Sequence, residues 1–339
     1  VRPFRARDDR DIGWEETPVD SNAAPKGQSL AEILEGHFPL TSNRLLLQDL
    51  TALRQRRMLA IVLAPHVLLD RAAIDPLVGI LRTLRGTRAL DLYVDGQGPT
   101  SPEGWRVVSA LREHFEKITA VVPFAASPGA TMLALGADEL LMTDVASLSP
   151  LEPWSLSGEL QRLRGELRAL GPGGRDAAVA RIDPRDVGAV ERAYATLSSL
   201  VRRTLETHLD AQIDAETIAN VLSHLCDGDL LPSSPLTRRD CEKRLGLRVT
   251  KPDDTLTDLI WKLHEYYRQM FDIEGDWVWN ERHFSLSYDG FIDTLEERRV
   301  LVRIHRLDER GRRIGDGPVL TRWVRPGGQE VVIDRELAL

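Results

Sequence analysis

"ITAVVPFAASPGATMLALGADELLMTD", residues 118–144, reads as a strand, a loop, a helix and a second strand. "ITAVV" is a short apolar run rich in β-branched residues, "PGATMLALGA" is a helix of small and apolar residues, and "ELLMTD" is strand-like again. Two short apolar strands joined through a helix pair in parallel, because the crossover returns the chain to the same end of the sheet. The alternation continues outward. "LLLQDLTALRQRR" (45–57) is helical, "MLAIVLAP" (58–65) a strand, "DRAAIDPLVGILRTLRG" (70–86) helical, and "ALDLYVDG" (89–96) a strand ending in glycine. "SPEGWRVVSALREHFE" (101–116) is a helix with Ser101 as cap and Pro102 at its first position. The expected fold is α/β, with a parallel sheet and helical crossovers. Ligands of such sheets sit beyond the carboxyl ends of the strands. "VDGQGPTSPEG" (94–104) and "AASPGA" (125–130) are therefore the candidate site loops.

The remaining chain sets the boundaries. Residues 1–28 mix charge, proline and small polar residues and are expected as a disordered tail. Ser29 and Glu32 then have capping-box spacing. Residues 29–272 form the main domain, with Val190, Tyr194, Leu197, Val201, Leu205 and Leu209 marking a helix and "LTDLIWKLHEYYRQMF" (256–271) another. From Gly275 the pattern changes to short runs divided by "GDGP" and "RPGG" turns, expected as a separate antiparallel β-meander over 275–339. Trp277, Trp279 and Trp323 in it are either core or a peptide-binding face, and arginines 298, 299, 303, 306, 310, 312 and 313 read as a solvated edge.

Composition narrows the classes. The 339 residues carry 44 basic and 52 acidic side chains, a net charge of −8 that offers no whole-chain attraction for nucleic acid or an anionic membrane. Cys226 and Cys241 lack metal-ligand spacing and are expected as free thiols. No apolar run nears the roughly 20 residues of a membrane span, and the start has no signal-peptide core, so a cytoplasmic location is expected. "DGQGPTSPEG" lacks the lysine of a phosphate loop, and Asp138 and Glu139 read as a structural turn. No cofactor and no metal are expected.

Three stretches in order, "LDLYVDGQG" (90–98), residues 118–153 and "SPLTRRDCEKRLGLRV" (234–249), resemble the Clp/crotonase superfamily. Within it they look most like the serine dehydrogenase proteinase group, relatives of signal peptide peptidase. The resemblance covers roughly residues 45–270 and implies a Clp/crotonase-like sheet in a self-associating chain that acts on peptides. By position it implies Ser127 as the nucleophile, in a loop with Pro128 and Gly129. The turn Gly96, Gln97 and Gly98 would lie opposite, with the N–H groups of Gly98 and of the residue after Ser127 holding the oxyanion. A lysine or histidine would take the serine proton.

This sequence departs from that pattern. The residue after Ser127 is Pro128, which has no N–H. Gln97 stands where the first glycine of a Gly-Gly turn is expected. No lysine occurs between Ser127 and Lys243, and Arg192 holds the place where one is expected, yet a guanidinium accepts no proton. Glu152 is the nearest residue to the place of the Clp histidine and would act as base only if burial raised its pKa; His208 and His224 are further candidates. Two readings of Ser127 follow: a nucleophile, or a helix cap with Pro128 in the first turn. Two functions follow as well: a serine peptidase, or a degenerate relative that binds a peptide or partner protein without cutting it. A crotonase-type acyl-CoA enzyme shares the scaffold, but no sequence feature marks a CoA pocket.

Overall fold

The computed structural model describes residues 43–326, apart from short stretches of which the longest are 68–73, 227–233 and most of 158–181. The expected tail, the Ser29 cap and the side chains of Trp277 and Trp279 lie outside the described residues.

Helix α1 (Arg44–Arg54) buries Leu47 and Leu50, one turn apart, and ends at Gln55 in the left-handed conformation. Then come β1 (Arg57–Leu63), α2 (Ile74–Thr83), β2 (Ala89–Gly96), α3 (Ser101–Arg112) and β3 (Lys117–Val122). The two-residue β4 (Ala125–Ala126) leads into α4 (Pro128–Leu135), followed by β5 (Glu139–Met142) and β6 (Ser147–Leu148). Further on lie α5 (Pro184–Leu205), α6 (Ala215–Cys226), β7 (Leu236–Thr237), α7 (Arg238–Lys243), β8 (Val249–Thr250) and α8 (Asp254–Phe271). The chain then runs through β9 (Glu274–Trp279), β10 (Arg282–Asp293), β11 (Arg298–Leu307) and β12 (Leu320–Val324).

Strands β1, β2, β3, β5 and β8 pair in parallel, as the alternation of the sequence requires. The expected separate meander is corrected by the other edge of that sheet. β10 pairs antiparallel with β1, from Ala60↔Asp293 to Leu63↔Gly290, and β11 and β12 continue outward. The physical reason lies in β1, which is buried at every residue but its first. Such a strand left as an open edge would expose unpaired backbone beside apolar side chains. The carboxyl-terminal strands supply the missing ladder and so belong to the main sheet.

Both faces of the sheet are covered. Leu90, Leu92 and Val94 of β2 join the core beneath α2, α3, α4, α5 and α6, while Tyr93 packs under α1 and α8 on the opposite side. Strand alternation puts Asp91 and Asp95 on the Tyr93 side. On the first face, Asp138 accepts from both Arg112 terminal nitrogens (2.9 Å each) and from the Ile118 N–H (2.8 Å), as a structural turn would. On the second, Asp293 accepts from Asn43 Nδ2 (2.9 Å), Tyr267 Oη (2.9 Å) and Arg298 Nε (3.2 Å). Arg298 also donates to Asn43 Oδ1 and to Tyr266 Oη. Arg298 is thus a buried clamp between α1, α8, β10 and β11, which corrects its reading as part of a solvated edge. Its neighbours Arg299, Arg303 and Arg312 are paired with Glu297, Asp289 and Asp308. Trp323 is buried in the core, and both cysteines are buried thiols outside any disulfide, with burial pushing Cys241 up to about 12. Among the described residues no helix is long and apolar enough to cross a membrane.

Candidate functional site

The loop after β3 crosses the carboxyl end of the sheet. There β4 touches the end of β2 through Gly96↔Ala126 and runs parallel to β6. Ser127 follows in extended conformation, donates its N–H to the Gly96 carbonyl (2.9 Å) and accepts from the Thr131 N–H (2.8 Å). Its side chain makes no capping hydrogen bond. The Ala130 N–H, which a capping serine would take, goes instead to the Gln97 carbonyl (2.6 Å). Side-chain capping by Ser127 is therefore corrected: the turn after β2 caps the helix, and the half-buried hydroxyl is left unspent among the described residues.

The sequence dictates this approach. Gly96 and Gly98 have φ of 80° and 76°, a region that disfavours side chains. A Cβ on Gly96 would run into the Leu63 carbonyl, and one on Gly98 into the Ala130 backbone. The two glycines let the β2 turn lie directly on α4, a helix buried at every residue from Gly129 to Leu135. The structure so brings together Ser127, Pro128, Gly129, Gly96, Gln97 and Gly98. Of the first three N–H positions of α4, Pro128 has none and that of Ala130 is occupied, which leaves Gly129 beside Gly98 as donors for a ligand oxygen.

The expected bases are not brought to Ser127. His208 Nε2 lies 2.8 Å from the Leu135 carbonyl, at the far end of α4. An eight-residue helix rises about 12 Å, beyond the reach of a proton transfer. Burial lowers the His208 pKa. His224 Nδ1 lies 2.9 Å from Asn220 O of its own helix. Arg192 is exposed on α5. Glu152 is half-buried and burial raises its pKa, yet no hydrogen bond or ion pair joins it to Ser127 among the described residues. A carboxyl whose folded pKa is raised costs stability as pH rises through that value, because the unfolded chain ionises first. Glu152→Gln is expected to raise stability at pH 7.5 and leave it unchanged at pH 3.5, read from urea unfolding at both.

One constellation escaped the sequence reading. Asp95, at the end of β2, has its Oδ2 2.6 Å from His264 Nδ1 on α8. Its Oδ1 accepts from the Gly96 N–H (3.1 Å) and the Ala125 N–H (3.4 Å), one from each candidate loop. Both side chains are buried, and the rings of Trp261 and Phe124 lie 4.8 and 5.6 Å from the imidazole. Since a carboxylate only accepts, Nδ1 carries the proton. The sequence held a partial signal: Asp91, Tyr93 and Asp95 alternate with apolar residues, and His264 falls on the apolar stripe of its helix. Among the described residues no group of three or more His, Cys, Asp or Glu could hold a metal.

No family model matches the chain. Two uncharacterized proteins of Methanocaldococcus jannaschii, MJ1495 and MJ0137, are 34% and 31% identical to it over 77 residues, which is 22% of this chain. The match spans only about a quarter of those relatives, 26% and 27% of their lengths. Among solved structures, a monofunctional enoyl CoA isomerase from M. smegmatis is similar at a TM-score of 0.34 and 18% identity, covering 63% of this chain and 82% of that one. The class, a mixed α/β protein with a parallel-containing sheet, rests on the strand registers.

Proposed function

We propose that this chain is a Clp/crotonase-like protein of the serine dehydrogenase proteinase kind that binds a peptide or partner protein beside Ser127, as a homo-oligomer, without cleaving it. The observation that carries the reading is the unspent Ser127 hydroxyl, which has no proton acceptor among the described residues. General base catalysis is worth about 10²–10⁴ in rate. An oxyanion donor, removed here by Pro128, is worth about 10²–10³. Lacking a base, the loop would turn over roughly 10²–10⁴ more slowly than an equipped peptidase, and a further 10²–10³ more slowly where the Gly129 N–H does not replace the donor that Pro128 lacks. It keeps what binding needs: a free hydroxyl and the Gly98 and Gly129 N–H groups beside it.

A second reading, slow serine hydrolysis, would take the half-buried Glu152, raised in pKa by burial, as its base. Intact-mass analysis after a fluorophosphonate separates the two. No adduct between pH 6 and 9 is expected, with ligand binding retained in Ser127→Ala. An adduct that Ser127→Ala abolishes would establish the hydrolase.

A further inference from the structure

A cleft of about 310 Å³ opens between Pro102 at the start of α3, the segment after β6, and one face of α5. Pro153, Leu156, Leu197 and Leu200 give it apolar walls, and Arg192 is its only charged lining residue among those described. We infer that this cleft recognises the free carboxyl terminus of an apolar peptide, with Arg192 holding the carboxylate. The inference rests on the proposed binding function and names its specificity.

Three observations support it. First, Arg192 has no ion-pair partner among the described residues, unlike Arg112, Arg298, Arg299 and Arg303. Arg203, three turns further along α5, is engaged by Trp105, whose ring centre lies 4.4 Å from its guanidinium carbon. Second, no carboxylate lines the cleft among the described residues, so a ligand carboxylate would meet Arg192 without a competing acidic wall there. A guanidinium presents paired donors that match a carboxylate in two-pronged fashion and match a terminal amide poorly. Third, the walls continue the two loops that flank Ser127. Pro102 follows the turn containing Gly98, and the Ser149 N–H, donated to the Ala126 carbonyl (2.9 Å), anchors the segment leading to Pro153. The volume suits one or two aliphatic side chains. Arg192, in the place where a proton acceptor was expected, becomes an anchor for substrate charge.

The test uses the full chain and a fluorescein-labelled peptide, Ala-Ala-Leu-Ala-Leu, with either a free carboxylate or a terminal amide, followed by anisotropy. The carboxylate form is expected to bind about tenfold more tightly, the low end for a charge-assisted hydrogen bond at an exposed arginine. Arg192→Ala should abolish that preference, and Arg192→Lys should retain part of it. Decanoate offers the same carboxylate on an apolar chain without peptide groups and is expected to compete weakly. Equal affinity for both peptides, an unchanged preference in Arg192→Ala, absence of binding, or binding of decanoate alone overturns the inference. Loss of preference with binding retained leaves the proposed function standing. A carboxylate preference accompanied by peptide cleavage supports the inference and overturns the non-cleaving reading.

Discussion

Arg298→Ala is expected to destabilise the fold by about 3–5 kcal/mol, the cost of leaving a buried charge without its partner. Asp293 would remain buried with one negative charge, and Asn43 Oδ1 and Tyr266 Oη would each lose their donor. The attachment of the carboxyl-terminal strands is at stake, because these four residues come from the start of α1, from α8, from β10 and from β11. Burial, the largest single influence, would lower the Arg298 pKa, but the Asp293 charge together with Tyr266 and Tyr267 holds the guanidinium above its ordinary value. At roughly 2–4 °C per kcal/mol for a chain of this class, Tm should fall by about 6–20 °C. The double variant Asp293→Leu/Arg298→Met should lose much less, since removing both charges leaves neither stranded. A fall of under about 2 °C in Arg298→Ala, or a double variant as damaged as the sum of its singles, would count against the clamp.

The clamp also marks where sequence reading stops. The parallel core was legible because each strand is a short apolar run and each crossover a helix with its own caps, features that lie within about twenty residues of one another. The strands after Gly275 were equally legible as strands. Their neighbour was not, because the partner of β10 is β1, whose residues lie more than 220 positions upstream, and only the need to cover a buried edge strand points there. Arg298 shows the same limit at one residue. Written beside Arg299 and Arg303 it looks like part of a charged edge, whereas in the fold it alone of the three turns inward to Asp293.

At the candidate site the glycines have a structural duty of their own. Gly98 is required by its positive φ and by contact with the α4 backbone, whatever it donates to a ligand. From sequence Ser127 reads as either nucleophile or cap, and the Gln97 carbonyl removes the need for the second role. No local pattern encodes that substitution, since it depends on how closely the β2 turn approaches the helix. The same holds for Asp95 and His264, which are 169 residues apart in sequence and 2.6 Å apart in space.

Asp95→Ala is the second substitution expected to have a large effect, and its effect should divide into stability and site geometry. The carboxylate is bonded to three groups: His264 Nδ1, the Gly96 N–H and the Ala125 N–H. Removing it strands a buried imidazole and two backbone donors, for an expected loss of about 3–5 kcal/mol. Gly96 accepts the Ser127 N–H and Ala125 begins β4, so both candidate loops should loosen, and the carboxylate peptide should bind at least tenfold more weakly. Asp95→Asn separates the two roles. Its carbonyl can still accept from the backbone, while its NH₂ now faces Nδ1, so the imidazole must move its proton to Nε2. Peptide binding and most of the stability should then be retained, while the ¹⁵N shifts of the His264 ring exchange positions. If Asp95→Asn weakens the peptide as much as Asp95→Ala, the imidazole proton itself serves the ligand. If neither variant alters binding, Asp95 does not position the Ser127 loop.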